Sequence, residues 1–169
     1  IGTNGEVALG NRHGIYATST AAGPAFEGAH ISCGMAGVPG AINSVNAYKG
    51  SLDITTIDDA PAKGLCGSGL LDAVALMLNI GVIDETGHVL CESEADVHVK
   101  PFLTAADGQP AFRIHGDIVL TQKDIREVQM AKAAVAAGLL SLLHHAEKDI
   151  GDVKTFYLAG GFGNFLDPQ

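Results

Sequence analysis

Residues 155–164 have the sequence TFYLAGGFGN, in which an apolar run stops at two adjacent glycines and a third glycine follows. The apolar residues 156–159, flanked by polar and glycine breakers, predict a short buried strand. Glycines directly after a strand let the backbone turn sharply and let a ligand approach, because no Cβ is in the way. A plain strand-to-helix turn that requires glycine is the alternative reading of this segment.

A second glycine turn lies at the other end of the sequence, in residues 1–6, IGTNGE. An apolar strand over residues 7–9, a turn at 10–14 and a returning strand at 15–18 predict a β-hairpin. Successive N–H groups in such a turn form a concave site that suits phosphate, although Asn-Gly is also an ordinary turn dipeptide. Neither glycine loop matches the P-loop or the dinucleotide-binding fingerprint.

Between these ends, strands and helices interleave, which indicates an α/β fold with ligands at a sheet edge. We expect strands over residues 41–48 and 52–57, and a helix over 70–80 with Ser68 as N-cap, Asp72 in its first turn and Gly81 as its stop. A capping box at Thr121 predicts the longest helix, residues 122–147, with Lys132 inside its apolar stripe. Residues 66–69, CGSG, depart from the spacing of a serine-hydrolase nucleophile elbow.

Composition excludes several function classes. The 169 residues are 47% hydrophobic and 17% charged, with a net charge of −9, which gives no basic footprint for nucleic acid. No apolar run is long enough to span a membrane. The cysteines form no C-x-x-C pair, so neither a disulfide framework nor a metal site is expected, and the default compartment is the cytoplasm. These three cysteines are Cys33, Cys66 and Cys91.

The glycine turns and four longer stretches resemble known families. Residues 1–6 resemble the second phosphate motif, and residues 158–163 the adenosine motif, of the superfamily of acetate and sugar kinases, heat-shock chaperone ATPases and actin. More narrowly, the chain resembles the ATP-dependent reductive activators of corrinoid proteins, including methylamine methyltransferase activases. Four stretches carry this resemblance: ATSTAAGPAFEG at 17–28, LCGSGL at 65–70, DIREVQMAK at 124–132 and AGGFG at 159–163.

This resemblance implies a fold and a set of binding residues. The fold would be an actin-like ATPase (ribonuclease H-like) lobe, a mixed sheet with flanking helices, that binds ATP with Mg²⁺. The phosphates would be held by Gly2, Thr3, Asn4 and Gly5. Adenosine would be approached by Gly160, Gly161, Phe162 and Gly163. The cleft would be lined by Thr20, Ser68, Gln129 and Lys132. No catalytic residue and no protein ligand to a metal is assigned.

The resemblance also implies a reaction and partners. Such activators carry a ferredoxin-like [2Fe-2S] domain before the ATPase region, and use ATP to assist reduction of cob(II)alamin to cob(I)alamin on a partner protein. We therefore expect residues 1–169 to be one nucleotide-binding lobe, a fragment of a longer multidomain protein, inactive by itself. Its partners would be a corrinoid protein or cobalamin-dependent methyltransferase and the remaining lobe of its own chain, with homodimer formation left open.

Two rival functions remain at this point. A small-molecule kinase with the same cleft would need a catalytic carboxylate, for which Asp53, Asp58 and Asp72 are available. A non-catalytic actin-like module would instead self-associate in response to nucleotide. All three hypotheses require the first and last turns to face a common hollow, with Asn4 and Gly161 on the same side of the fold.

Overall fold

A computed structural model describes residues 4–48 and 50–159 of the chain. Strands and helices alternate irregularly along it, and the strands form three small sheets, β1–β2, β4–β3–β5 and β6–β7–β8. The strands are β1 Gly5–Asn11, β2 Gly14–Thr20, β3 Ala41–Tyr48, β4 Ser51–Thr56, β5 Gly64–Leu65, β6 Leu103–Ala106, β7 Gln109–His115 and β8 Ile118–Thr121. The α-helices are α1 Gly67–Asn79 and α2 Gln122–His145.

The β-hairpin predicted around the turn at residues 10–14 is confirmed. Strands β1 and β2 pair antiparallel over their whole length, from Gly5 opposite Thr20 to Asn11 opposite Gly14. The following stretch forms a short 3-10 turn, Pro24–Glu27, with the proline near its start, where the missing N–H costs nothing. The hairpin therefore begins and ends at one place, where Gly5 and Thr20 meet.

The second sheet supports α1. Strand β3 pairs antiparallel with β4 and parallel with β5, so the predicted strands around residue 50 are confirmed. The helix begins at Gly67 with Cys66 as N-cap, so the prediction of Ser68 as N-cap is wrong. The Ser68 hydroxyl instead donates to the carbonyl oxygen of Asn43 in β3, at 2.9 Å, because the helix start lies directly against that strand. Asp72 lies beyond the first turn, which corrects its predicted place too.

Glycine accounts for both ends of α1. A Cβ on Gly69 would overlap the carbonyl oxygen of Ile42, so only glycine allows the helix to lie this close to β3. At the other end, Gly81 follows the helix with φ +74°, the left-handed conformation that stops a helix, as predicted. The CGSG stretch is therefore a packing seam between α1 and β3.

The third sheet leads into α2. Strands β6, β7 and β8 pair antiparallel in order, and Thr121, the last residue of β8, is the N-cap of α2. The predicted capping box with Asp124 is present. One hydrophobic core joins the second and third sheets to both helices, and its largest fully buried members include Phe112, Ile42, Leu65, Leu70, Met77, Leu120 and Ile125.

The predicted strand over residues 156–159 is wrong. These residues have no regular structure, and Phe156 and Tyr157 expose 68% and 83% of their surface. A strand needs a neighbour for its N–H and C=O groups, and no strand of the described chain pairs with this segment. The glycines at 160–163 lie outside the described residues, as does the relation of Asn4 to Gly161. Neither α1 nor α2 combines the length and the apolar character that crossing a bilayer requires.

Candidate functional site

The two ends of the hairpin are fixed to each other and to α2. The hydroxyl of Thr20 donates to the carbonyl oxygen of Gly5 at 2.9 Å in a buried setting. A Cβ on Gly5 would stand 2.6 Å from that hydroxyl and 3.6 Å from Cγ2 of Val135 in α2. A Cβ on Gly138 would overlap the methyl group of Thr20. We call these four residues, Gly5, Thr20, Val135 and Gly138, the hairpin clamp.

Lys132 lies one helical turn before the clamp residue Val135. The sequence predicted a lysine within the apolar, core-facing stripe of α2, but its side chain is exposed. Val128 is buried in the core and Val135 packs against it partly buried, whereas Lys132 between them and Ala136 after them are exposed. The structure thus presents a cation to solvent on α2, three residues before Val135.

The predicted phosphate-binding residues are partly described. Asn4 is exposed and stands directly before β1, and Gly5 is buried in the hairpin clamp. Gly2 and Thr3 lie outside the described residues, as do the predicted adenosine-binding residues Gly160, Gly161, Phe162 and Gly163. Of the predicted site residues that are described, Gly5 and Thr20 meet at the contact between hairpin and α2. Asn4 directly precedes Gly5, and Lys132 lies on α2 three residues before Val135.

Gln129 is occupied with a neighbouring loop. Its amide nitrogen donates to the carbonyl oxygen of Thr86 at 2.9 Å, and its amide oxygen accepts from the Arg126 guanidinium at 2.6 Å. Gly87 provides the room, because a Cβ there would overlap the Gln129 amide. Gln122 also donates to the carbonyl oxygen of Gly87, at 2.7 Å. These contacts fasten the loop at residues 84–88 onto the first turns of α2.

Ser68 lies at a separate pocket of about 940 Å³, within the size range of small-molecule sites. Its walls come from the 3-10 turn at Pro24–Glu27, the loop after it, the ends of β3 and β4, and the start of α1. The lining residues are Phe26, Glu27, Ala29, Met35, Ala36, Gly37, Asn43, Thr56, Ile57, Asp58, Cys66, Gly67 and Ser68. Sequence reasoning missed this pocket, since its walls come from segments far apart in the chain.

The carboxylates considered for catalysis are dispersed. Asp72 accepts a hydrogen bond from the backbone N–H of Val45 at 3.3 Å, which ties α1 to β3. Asp53 and Asp58 are exposed, and Asp58 and Asp59 both have left-handed backbone angles, φ 58° and 51°. Across residues 4–48 and 50–159, no three histidine, cysteine or acidic side chains gather in a way that could hold a metal ion.

The cysteines differ in reactivity. Burial, followed by the nearby Asp124 charge, raises the pKa of Cys33 from 9.0 to about 12. Its thiolate fraction at pH 8 is therefore about a thousandfold below that of an ordinary thiol. Cys66 is buried and its thiol donates to the carbonyl oxygen of Ile42 at 3.3 Å, whereas Cys91 is only half-buried, 2.9 Å from the Ser93 hydroxyl.

We therefore expect a single rapid phase when a thiol-specific disulfide reagent is added at pH 8, and this phase should come from Cys91. Cys91→Ser should abolish it, while Cys33→Ser, the control, should leave it unchanged. The reaction is followed by the absorbance of the released chromophore. A rapid phase that persists in Cys91→Ser would contradict the assignment.

Comparison with known proteins identifies the family. The model of the C-terminal domain of RACo, the ASKHA domain, matches residues 1–169. The corrinoid activation enzyme RamQ of Eubacterium limosum is 37% identical over 177 positions, which cover 99% of this chain and 30% of that protein. The Co(II) methylated amine-specific corrinoid protein reductase of Methanosarcina barkeri is 28% identical over 190 positions, which cover 99% of this chain and 32% of that protein.

A solved structure agrees with these relatives. The reductive activator for corrinoid, iron-sulfur protein superposes with a TM-score of 0.84 at 33% identity, over 98% of this chain and 27% of its own. The chain spans about a third of the length of the curated relatives it matches. The resemblance seen in the sequence and the predicted actin-like fold are confirmed. The chain belongs to the family of the C-terminal ASKHA domain of RACo, with the mixed α/β fold of an actin-like ATPase.

Proposed function

We propose that this domain is the nucleotide-binding lobe of a protein that uses ATP to assist the reductive activation of a corrinoid partner. One observation carries the nucleotide assignment. Lys132 is exposed within the apolar stripe of α2, one turn from Val135, whose Cγ2 would stand 3.6 Å from a Cβ on Gly5 at the start of β1. A lysine beside a glycine turn supplies a positive charge and backbone donors, which are the groups that bind phosphate.

Each residue has a distinct role in this proposal. Asn4 and the backbone of residues 2–5 bind phosphate oxygens, and the hairpin clamp holds Gly5, the last of these residues, against α2. Lys132 balances the charge of the bound nucleotide, and the glycines at 160–163 let adenosine approach. Mg²⁺ arrives as the nucleotide complex, since that ion is commonly held through substrate phosphates. When bound, ATP supplies differential binding energy that favours one domain arrangement over another.

The rest of the reaction lies outside this chain. The relatives are named as a corrinoid activation enzyme and a corrinoid protein reductase, which supports a corrinoid protein or a cobalamin-dependent methyltransferase as partner. In the proposal, electrons come from a [2Fe-2S] cluster in another domain, and a second lobe completes the cleft around the nucleotide. Residues 1–169 then act as one lobe of a longer cytoplasmic protein and are inactive alone.

Isothermal titration of the full-length protein with MgATP tests the nucleotide assignment. We expect saturable binding, weakened about tenfold by Lys132→Ala, because a charge-assisted contact to phosphate is lost. Lys123→Ala is the matched control: it removes an exposed lysine from the same helix, about 14 Å along its axis. The control should bind MgATP like the parent protein.

Absence of MgATP binding at about millimolar concentration would remove the proposal. Equal losses in Lys132→Ala and Lys123→Ala would refute the role given to Lys132. The rival kinase function is tested by phosphoryl transfer to added small acceptors. Of its candidate carboxylates, Asp72 is engaged with Val45 N, Asp53 is exposed, and Asp58 lines the pocket at Ser68, which includes no residue of the hairpin clamp.

A further inference from the structure

Thr20 contacts its surroundings through both branches of its side chain. Its hydroxyl donates to the carbonyl oxygen of Gly5, and its methyl group occupies the space that a side chain on Gly138 would need. Only 6% of Thr20 is exposed, so neither contact competes with water. Thr20→Ser would keep only the hydrogen bond to Gly5, and Thr20→Val would keep only the methyl group at Gly138. The two contacts can therefore be separated by substitution.

Gly138 has no local reason to be glycine. It lies in the interior of α2 after two alanines, where glycine destabilises a helix relative to alanine. The structure supplies a tertiary reason, because the missing Cβ is what admits the Thr20 methyl group. The position of the hairpin along α2 is therefore set by the packing of the Thr20 methyl group into the space left by Gly138.

Gly5 connects this pair to the proposed phosphate turn. Gly5 is the first residue of β1 and the last of the four residues, Gly2 to Gly5, assigned to phosphate. Lys132 lies on α2, one turn before Val135, whose Cγ2 would stand 3.6 Å from a Cβ on Gly5. A shift of the hairpin along α2 would thus move Asn4 and Gly5 relative to Lys132 and leave α2 itself in place.

We infer that Thr20 and Gly138 are positioning residues that set Gly5, and with it the adjacent Asn4, against α2, and thereby determine affinity for the phosphates of the nucleotide rather than for adenosine. The inference rests on the proposed function. A side chain that only stabilised the fold would alter adenosine and MgATP binding alike. A positioning pair alters the ratio of the two affinities.

The test titrates the full-length protein separately with MgATP and with adenosine, and checks by circular dichroism that each variant is folded. Gly138→Ala should weaken MgATP binding about tenfold, because its Cβ displaces the Thr20 methyl group. Adenosine affinity should stay within about twofold. Adding Thr20→Ser removes the displaced methyl group, so the double variant should bind MgATP like Thr20→Ser alone.

A double variant as weak as Gly138→Ala, or equal losses for MgATP and adenosine, would overturn the inference. Should Gly138→Ala not fold, Thr20→Val carries the test. It keeps the volume but removes the donor to Gly5, so MgATP binding should fall about tenfold. Parent-like MgATP binding by Thr20→Val would overturn the inference and leave the proposed function standing, whereas no MgATP binding by the parent protein would end both.

Discussion

Replacing Asp124 by asparagine should lower the free energy of unfolding by about 3–5 kcal/mol, a large part of the total for a domain of this size. The Asp124 carboxylate is completely buried. One oxygen accepts from the N–H and hydroxyl of Ser32, at 2.7 and 3.0 Å, and the other from the N–H and hydroxyl of Thr121, at 2.8 and 2.7 Å. Asparagine replaces one of these acceptor oxygens by an NH₂ group, a donor that would face the N–H and the hydroxyl of Ser32 or of Thr121.

Urea denaturation of the parent and variant measures this effect. Ser32→Ala is the matched control: it removes one hydroxyl donor from the same carboxylate and leaves the backbone N–H, so it should cost only about 1 kcal/mol. The comparison separates the loss of the buried acceptor from the loss of one hydrogen bond. An Asp124→Asn cost no larger than that of Ser32→Ala would contradict the account of α2 as anchored through this carboxylate.

Gly34→Ala should destabilise the domain by about 3 kcal/mol or more. A Cβ on Gly34 would overlap the backbone of Gly28, where the chain crosses itself next to the pocket. Gly28 has no room to move away, because its φ is +81° and a Cβ built on it would itself stand 2.5 Å from the backbone nitrogen of Met35. Both partners are main chain, so no side-chain rotation can relieve the overlap.

Gly37→Ala provides the control in the same loop. A Cβ there would meet only Cδ1 of Ile57, at an ordinary 3.7 Å, and φ is not positive. We expect a change within about 0.5 kcal/mol. Thermal or urea unfolding of the two variants gives the comparison. Equal stability of Gly34→Ala and Gly37→Ala would contradict the close backbone contact between Gly34 and Gly28.

Features encoded within a few neighbouring residues were predictable from the sequence. The β1–β2 hairpin follows from turn residues at 10–14 between apolar runs, and the start of α2 follows from Thr121 and Asp124 three residues apart. The stop of α1 at Gly81 is equally local. In each case a short-range hydrogen bond or backbone angle decides the structure, so no distant partner is needed.

Features that depend on distant neighbours were not predictable. The apolar residues 156–159 read like a strand, but a strand exists only where another offers hydrogen bonds. Lys132 falls in the periodic stripe of α2, yet periodicity does not say which turns of a helix are covered. Ser68 has the composition of an N-cap, but its hydroxyl donates to β3, which the sequence does not place beside it.

The hairpin clamp was missed although the sequence carried a signal for it. Gly138 stands in the interior of a predicted helix, where glycine costs about 1 kcal/mol relative to alanine, and such a glycine often marks a close approach. Its partner Thr20 is separated from it by more than a hundred residues, so the contact is set by the tertiary fold and by no local pattern. The predicted phosphate and adenosine residues remain predictions, because most of them lie outside the described residues.

The central claim is that this domain makes corrinoid reduction depend on ATP. The most direct measurement follows the absorbance of a partner corrinoid protein in the cob(II)alamin state, mixed with the full-length protein and a low-potential electron donor. We predict that cob(I)alamin forms with MgATP and not without it, and that Lys132→Ala slows its formation while Lys123→Ala does not. Equal rates of cob(I)alamin formation with and without MgATP would contradict the account.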